Sequence, residues 1–111
     1  MVIADFDPGR LSARLLLERP VPVSDGQGGA AEVFEAVASV WALVTPLAAK
    51  VEERAGAETV EITHEIWVRR RGDLVSGMRF AKGARHFTVE SVRDPDESGR
   101  YLACRCREEG R

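Results

Sequence analysis

Thr59 to Val92, TVEITHEIWVRRRGDLVSGMRFAKGARHFTVESV, is the stretch that decides the fold. It opens on strict alternation. Val60, Ile62, His64, Ile66 and Val68 share one side, and Thr59, Glu61, Thr63, Glu65, Arg69 and Arg71 the other. A two-residue period rich in Val, Ile and Thr marks a half-buried strand, because successive side chains leave a pleated backbone on opposite faces. Gly72-Asp73 and Gly77 interrupt the run, and residues 78–81 form a second short apolar piece. Lys82-Gly83-Ala84 reads as a tight reversal, and residues 86–92 as a further strand with Phe87 and Val89 on one face. The centre of the chain is an antiparallel meander, apolar on one side and charged on the other.

Outward from this centre, residues 100–108 (RYLACRCRE) form a last strand after the turn-rich Asp94-Pro95-Asp96-Glu97-Ser98-Gly99. Upstream, residues 14–23 (RLLLERPVPV) read as the first strand. Pro20 and Pro22 each remove a ladder donor there, so its second half is an edge or is leaving the sheet. Residues 31–47 (AEVFEAVASVWALVTPL) satisfy both patterns, since Val33, Val37, Val40, Trp41 and Val44 share a helical stripe. Residue type and pairing with 59–71 favour a long strand, bent or bulged near 36–39. Residues 48–58 (AAKVEERAGAE) have no two-residue period and read as a mobile or partly helical excursion loop. Residues 1–12, with Asp-Pro-Gly at 7–9, form an N-terminal arm with Phe6 or Leu11 tucked against the body. The expected fold is all-β: one domain over 1–111, a small antiparallel barrel or sandwich of about six strands, with the excursion between the second and third.

At 111 residues the chain can bury one core. Its net charge of -2 argues against a strongly basic nucleic-acid binder. No apolar run approaches the roughly 20 residues that cross a bilayer, and no secretory signal is expected. Cys104 and Cys106 point to the same side of one strand, which suits small buried residues better than a disulfide or a zinc site.

Catalytic candidates are thin. His64 is in phase with the buried face, and Glu61 and Glu65 lie on a solvated charged face beside Arg69. No triad order, metal-ligand cluster, phosphate loop or dinucleotide fingerprint is present, so neither enzyme activity nor a cofactor is expected. The residues singled out for protein contact are Trp67, Arg69, Arg70, Arg71, Arg79 and Arg85, because arginines flanking an aromatic on a sheet face make an interface core and rim. Trp67 has an equal alternative as the lid of a second small core under 48–58. A competing reading is a small barrel that grips single-stranded nucleic acid through Arg69, Arg70 and Arg71, with Trp67 and Phe80 stacking bases.

Four short pieces, in this order and spacing, carry a resemblance. They are Val40-Trp41-Ala42 with Pro46-Leu47, Thr63-His64-Glu65-Ile66, Met78-Arg79-Phe80 before Arg85-His86-Phe87, and Val89 through Asp94-Pro95-Asp96. From about Arg10 to Glu108 the chain resembles the head–tail joining family, the small head-completion (adaptor or stopper) proteins of tailed phages and phage-derived gene transfer agents. The resemblance implies a structural virion protein at the particle neck, assembled in the bacterial cytoplasm. It implies a ring beneath the portal or adaptor that meets the tail terminator and other tail proteins, with subunits that can be monomeric in isolation. It also implies that a loop between the second and third strands faces the channel. Here that loop is 48–58, with Lys50, Glu52, Glu53, Arg54 and Glu58, mixed in sign, as a wall that DNA slides past without sequence-specific binding.

Overall fold

The computed structural model of the protein describes residues 6–24, 26–53 and 59–110. Six strands account for most of them: β1 (Ala13–Ser24), β2 (Ala30–Glu53), β3 (Thr59–Arg69), β4 (Arg79–Lys82), β5 (Arg85–Arg93) and β6 (Tyr101–Glu108). Every pairing is antiparallel. The order β1-β2-β3-β6-β5-β4 closes on itself through β1 and β4, giving a barrel. The expected all-β architecture of about six strands is the one found, and closure decides between barrel and sandwich.

Alternation explains the closure. Ile66, Cys104 and Val92 stand in cross-strand register, as do Leu17, Phe80 and Phe87. Each buried row therefore meets another as the sheet curls, and the interior fills with Leu15, Leu17, Ile66, Val68, Phe80, Phe87, Val89, Leu102, Cys104 and Cys106. Burying a large aliphatic or aromatic side chain this completely contributes about 1.5–3 kcal/mol. Leu74 and Met78 add to the same core from the segment between β3 and β4. Gly77, at φ +95, donates its N–H to Val89 O and turns the chain into β4.

The long second strand is strand throughout, and its expected bend is a bulge. Leu17 pairs with Ala38 and Glu18 with Ala36, which leaves Val37 as the extra residue. At about 3.3 Å per residue a straight strand of this length would reach roughly 80 Å. The whole molecule extends 53 Å, so β2 must coil around the barrel.

Both ends of β2 outrun the barrel. Beyond Glu18, β1 has no partner except β2, so Arg19–Ser24 and Ala30–Glu35 form a two-stranded ribbon. Pro20 and Pro22 lie on it, where their missing donors face an edge, as expected. At the other end Lys50–Glu53 pairs with Thr59–Ile62, past the last β3–β6 pair at His64.

This second ribbon amends the excursion loop. Through Glu53 the segment continues β2 as strand, not helix; Arg54 and Glu58 lie outside the described residues. Ladder bonds to β3 satisfy backbone groups that an isolated helical turn would leave to water. For Lys50, Glu52 and Glu53 the backbone pairing alone is described.

Candidate interaction surfaces

The outer face of β2, β3 and β6 carries a second, smaller core. Ala103 and Tyr101 point outward on β6 yet are buried, Tyr101 beneath Phe6 of the N-terminal segment and Ala103 beside Trp67. The Phe6 ring stacks on Trp67 with centroids 4.9 Å apart and meets Tyr101 edge-on at 4.9 Å. Leu11 is buried as well. A single 3-10 turn at Pro8–Arg10 aims this segment, capped by the Asp7 carboxylate, which accepts from Gly9 N at 2.8 Å. Trp67 thus belongs to a second core, and among the described residues its cover is the segment from Phe6; most of the 48–58 stretch named for that cover lies outside the described side chains. The Trp67 Nε1–H donates to Glu65 Oε1 at 3.2 Å, and Glu65 also pairs with Arg93 at 3.0 Å and Arg105 at 3.7 Å.

One step along the strands, a cross-strand row lies bare. Arg14 of β1 is opposite Trp41 of β2. Trp41 stands one position past the Ala42–Val68 pair and so beside Arg69 of β3, and Arg69 faces Tyr101 of β6. The Arg14 guanidinium sits 4.7 Å from the Trp41 ring centroid, while its Nε donates to Ser39 Oγ at 2.6 Å. Trp41 remains 51 % exposed, the most open aromatic side chain among the described residues. Together with Arg69, Arg70 and Arg71 it borders a shallow groove of about 290 Å³. Arg69 and Arg70 have no carboxylate partner among the described residues, whereas Arg71 holds Asp73 in a two-bond clamp at 3.0 Å. That hydrogen bond draws the Asp73 carboxyl below its ordinary range.

The other two arginines singled out from sequence lie elsewhere. Arg79 of β4 pairs with Glu18 of β1, lies 4.0 Å over the Phe34 ring and reaches Glu109 at 3.7 Å, so it ties the first ribbon to the barrel wall. Beneath that tie opens a cleft of about 770 Å³ between the ribbon and the outer face of β5 and β6, bordered by Glu32, Phe34, Thr88, Glu90, Arg107 and Glu109. Arg85 donates two hydrogen bonds, at 2.7 and 3.1 Å, to the buried carboxylate of Glu108. Glu108 in turn lies 3.9 Å from His64 Nε2, and its N–H donates to Thr63 Oγ1 at 2.8 Å. His64 packs edge-on against Phe87 at 4.9 Å and lies 2.8 Å from Thr63 Oγ1 through Nδ1. It is a core histidine in a polar network, as its phase on β3 implied.

The six sequence-chosen residues therefore divide among three places: a covered lid (Trp67), an open basic row (Arg69, Arg70 and Arg71) and two structural clamps (Arg79 and Arg85). Phe80 is fully buried in the barrel. That corrects its suggested role in stacking bases, because inward register on β4 puts it against Phe87. Trp41 and Arg14 were missed. The signal was present, since Val40, Ala42 and Val44 facing inward require Trp41 to face out. Among the described residues, no group of three or more His, Cys, Asp or Glu could hold a metal ion.

A family model described as phage head completion protein matches residues 6–109. Among solved structures, a chain from the virion of a native gene transfer agent particle is 35% identical, covering 88% of this chain and 93% of that one, at a TM-score of 0.65. A Shigella flexneri 2a protein solved in solution is 25% identical over 95% of this chain and 98% of its own, at a TM-score of 0.68. No curated protein matches.

Proposed function

The chain belongs to the phage head completion protein family, a family of structural virion proteins, and from that premise we propose that it is a subunit of the particle neck. There it closes the DNA-filled head and joins the portal or adaptor to the tail. In the particle it forms a ring of identical subunits, catalyses nothing, and lets DNA pass without reading its sequence. The connection between β2 and β3, with Lys50, Glu52, Glu53, Arg54 and Glu58, is turned to that channel. Assembly takes place in the bacterial cytoplasm, and the particle is a phage or a gene transfer agent.

The observation that carries this reading is the extent of the family match, 6–109, which takes in the barrel, both ribbons and the segment under which Trp67 lies. The geometry supports it. A barrel with two protruding ribbons and a bare arginine–tryptophan row offers several separate faces, as a subunit with neighbours on more than one side requires. Electron microscopy of particles assembled without this chain tests the proposal. Heads that are full or leaking and lack tails are expected; normally tailed, DNA-delivering particles would overturn it.

A second reading, a single-strand nucleic-acid module, draws on the Arg14–Trp41–Arg69 row, where a base could stack between guanidinium groups. A fluorescent oligonucleotide titrated at rising salt separates the two. Phosphate-driven binding weakens steeply with salt, whereas a connector has no appreciable affinity at physiological salt.

A further inference from the structure

We propose that the ring closes by seating the basic row of one copy, Arg14, Trp41, Arg69 and Arg70, in the acidic cleft beside Phe34 of the next. This rests on the neck reading above and adds to it which two faces meet. Three observations carry it.

The first is position. Row and cleft lie toward opposite ends of shared strands: Arg14 against Pro20 on β1, Trp41 against Phe34 on β2, and Tyr101, the partner of Arg69, against Glu109 just past β6. The row is borne by β1, β2 and β3, and the cleft by the first ribbon of β1 and β2 together with β5 and β6. Two different faces at opposite ends generate a head-to-tail contact, and such a contact closes into a ring when its rotation allows.

The second is charge. Arg14, Arg69 and Arg70 bring three guanidinium groups with no carboxylate partner among the described residues. The cleft is bordered by Glu32, Glu90 and Glu109 against Arg107, which lies 3.6 Å from Glu90. Arg79 stands behind Glu109 but is engaged by Glu18. Opposite signs steer row to cleft, while two rows meeting face to face would repel and disfavour a twofold dimer.

The third is the anchor. Trp41 is half exposed with a guanidinium already lying on one face, leaving the rest of the indole for a neighbouring molecule to bury. Phe34 and its cross-strand neighbour Pro20 give the cleft an apolar floor for an indole. Tryptophan and arginine in a well-desolvated pocket are the residues that dominate interface energetics.

The test uses particles complemented with the Trp41→Cys/Glu32→Cys chain and treated with a short bismaleimide. Cys104 and Cys106 are buried with their thiols pushed far above the ordinary value, so within this chain the introduced pair alone is open to the reagent. A ladder of covalent multimers is expected, absent from either single variant. Tailed particles that contain the chain yet release only monomer would overturn the inference and leave the neck role standing. Tailed particles that lack the chain altogether would overturn the neck role itself.

Charge exchange decides the matter if the cysteine pair fails to assemble. Arg69→Glu/Arg70→Glu should cut tailed-particle yield by about tenfold or more, since like charges across an interface are strongly unfavourable. Adding Glu32→Lys/Glu109→Lys should restore most of it. A folded reversal variant with undiminished yield, or an exchange that restores nothing, would overturn the pairing.

Discussion

Inside the barrel, Cys104 and Cys106 stand two residues apart with both thiols in the apolar core. Burial, helped by the Glu65 charge, pushes the Cys104 thiol up from an ordinary 9.0 to about 12, and burial raises Cys106 further. A folded value above the unfolded one means the native state holds its protons longer. The stability this represents is complete below the unfolded thiol value and is lost as pH climbs toward the folded one. Each thiol should therefore cost about 1.4 kcal/mol per pH unit above roughly pH 9. The Cys104→Ala/Cys106→Ala variant should be less stable at neutral pH but show a flatter alkaline decline, read by urea unfolding across the pH range. A second residue-scale case is Arg85, whose guanidinium clamps the buried Glu108 carboxylate. Arg85→Ala should lower stability by about 1–3 kcal/mol, because the carboxylate stays buried without its clamp. Adding Glu108→Gln should recover part of that loss, and a double-mutant cycle measures the coupling. From sequence Arg85 read as an interface arginine. Within the fold it also engages Glu108, 23 residues away on β6, a distance that strand register bridges and composition does not reveal.

At the scale of elements, β3 was readable because its alternation is unbroken. So were β5 and β6, because Phe87 and Val89, and Leu102, Cys104 and Cys106, alternate toward the core, although a bulge at Glu90 brings Val92 inward out of that phase. The 31–47 stretch was readable as strand through its Val, Phe and Trp content, and its bend near 36–39 came from the weak β-formers Ala36 and Ala38 around Val37. The continuation of β2 through Glu53 was not readable, since Ala and charged residues carry little β preference and the pairing with Thr59–Ile62 supplies what they lack. The second core was half readable. Phe6 packing on the body was legible, but that its place is on Trp67 depends on a 3-10 turn too short to leave a periodic signal. Replacing residues 53–59 by Asn-Gly, a two-residue hairpin turn, should leave the melting temperature within a few degrees, because Lys50–Glu53 and Thr59–Ile62 pair only with each other. Differential scanning calorimetry checks this, and a large drop would mean that the ribbon is integral to the core.

At the scale of the whole molecule, closure sets a gradient of stability. Strands β3, β6 and β5 are paired on both sides through their middles, whereas each ribbon is paired on one side only. Amide exchange should be slowest at Ile66, Val68 and Cys104 and faster, by orders of magnitude, in Arg19–Ser24 and Lys50–Glu53, measured by exchange mass spectrometry. Uniform protection would show that the ribbons are docked as firmly as the barrel. The run of β2 from one ribbon through the wall to the other, bulged at Val37 and irregular between Pro46 and Lys50, has a mechanical consequence. Ladder bonds lie across a strand, so tension along β2 shears many of them at once, whereas peeling would part them singly. A chain threaded this way transmits axial load from one protrusion to the other without routing it through a loop, which suits the neck role proposed above.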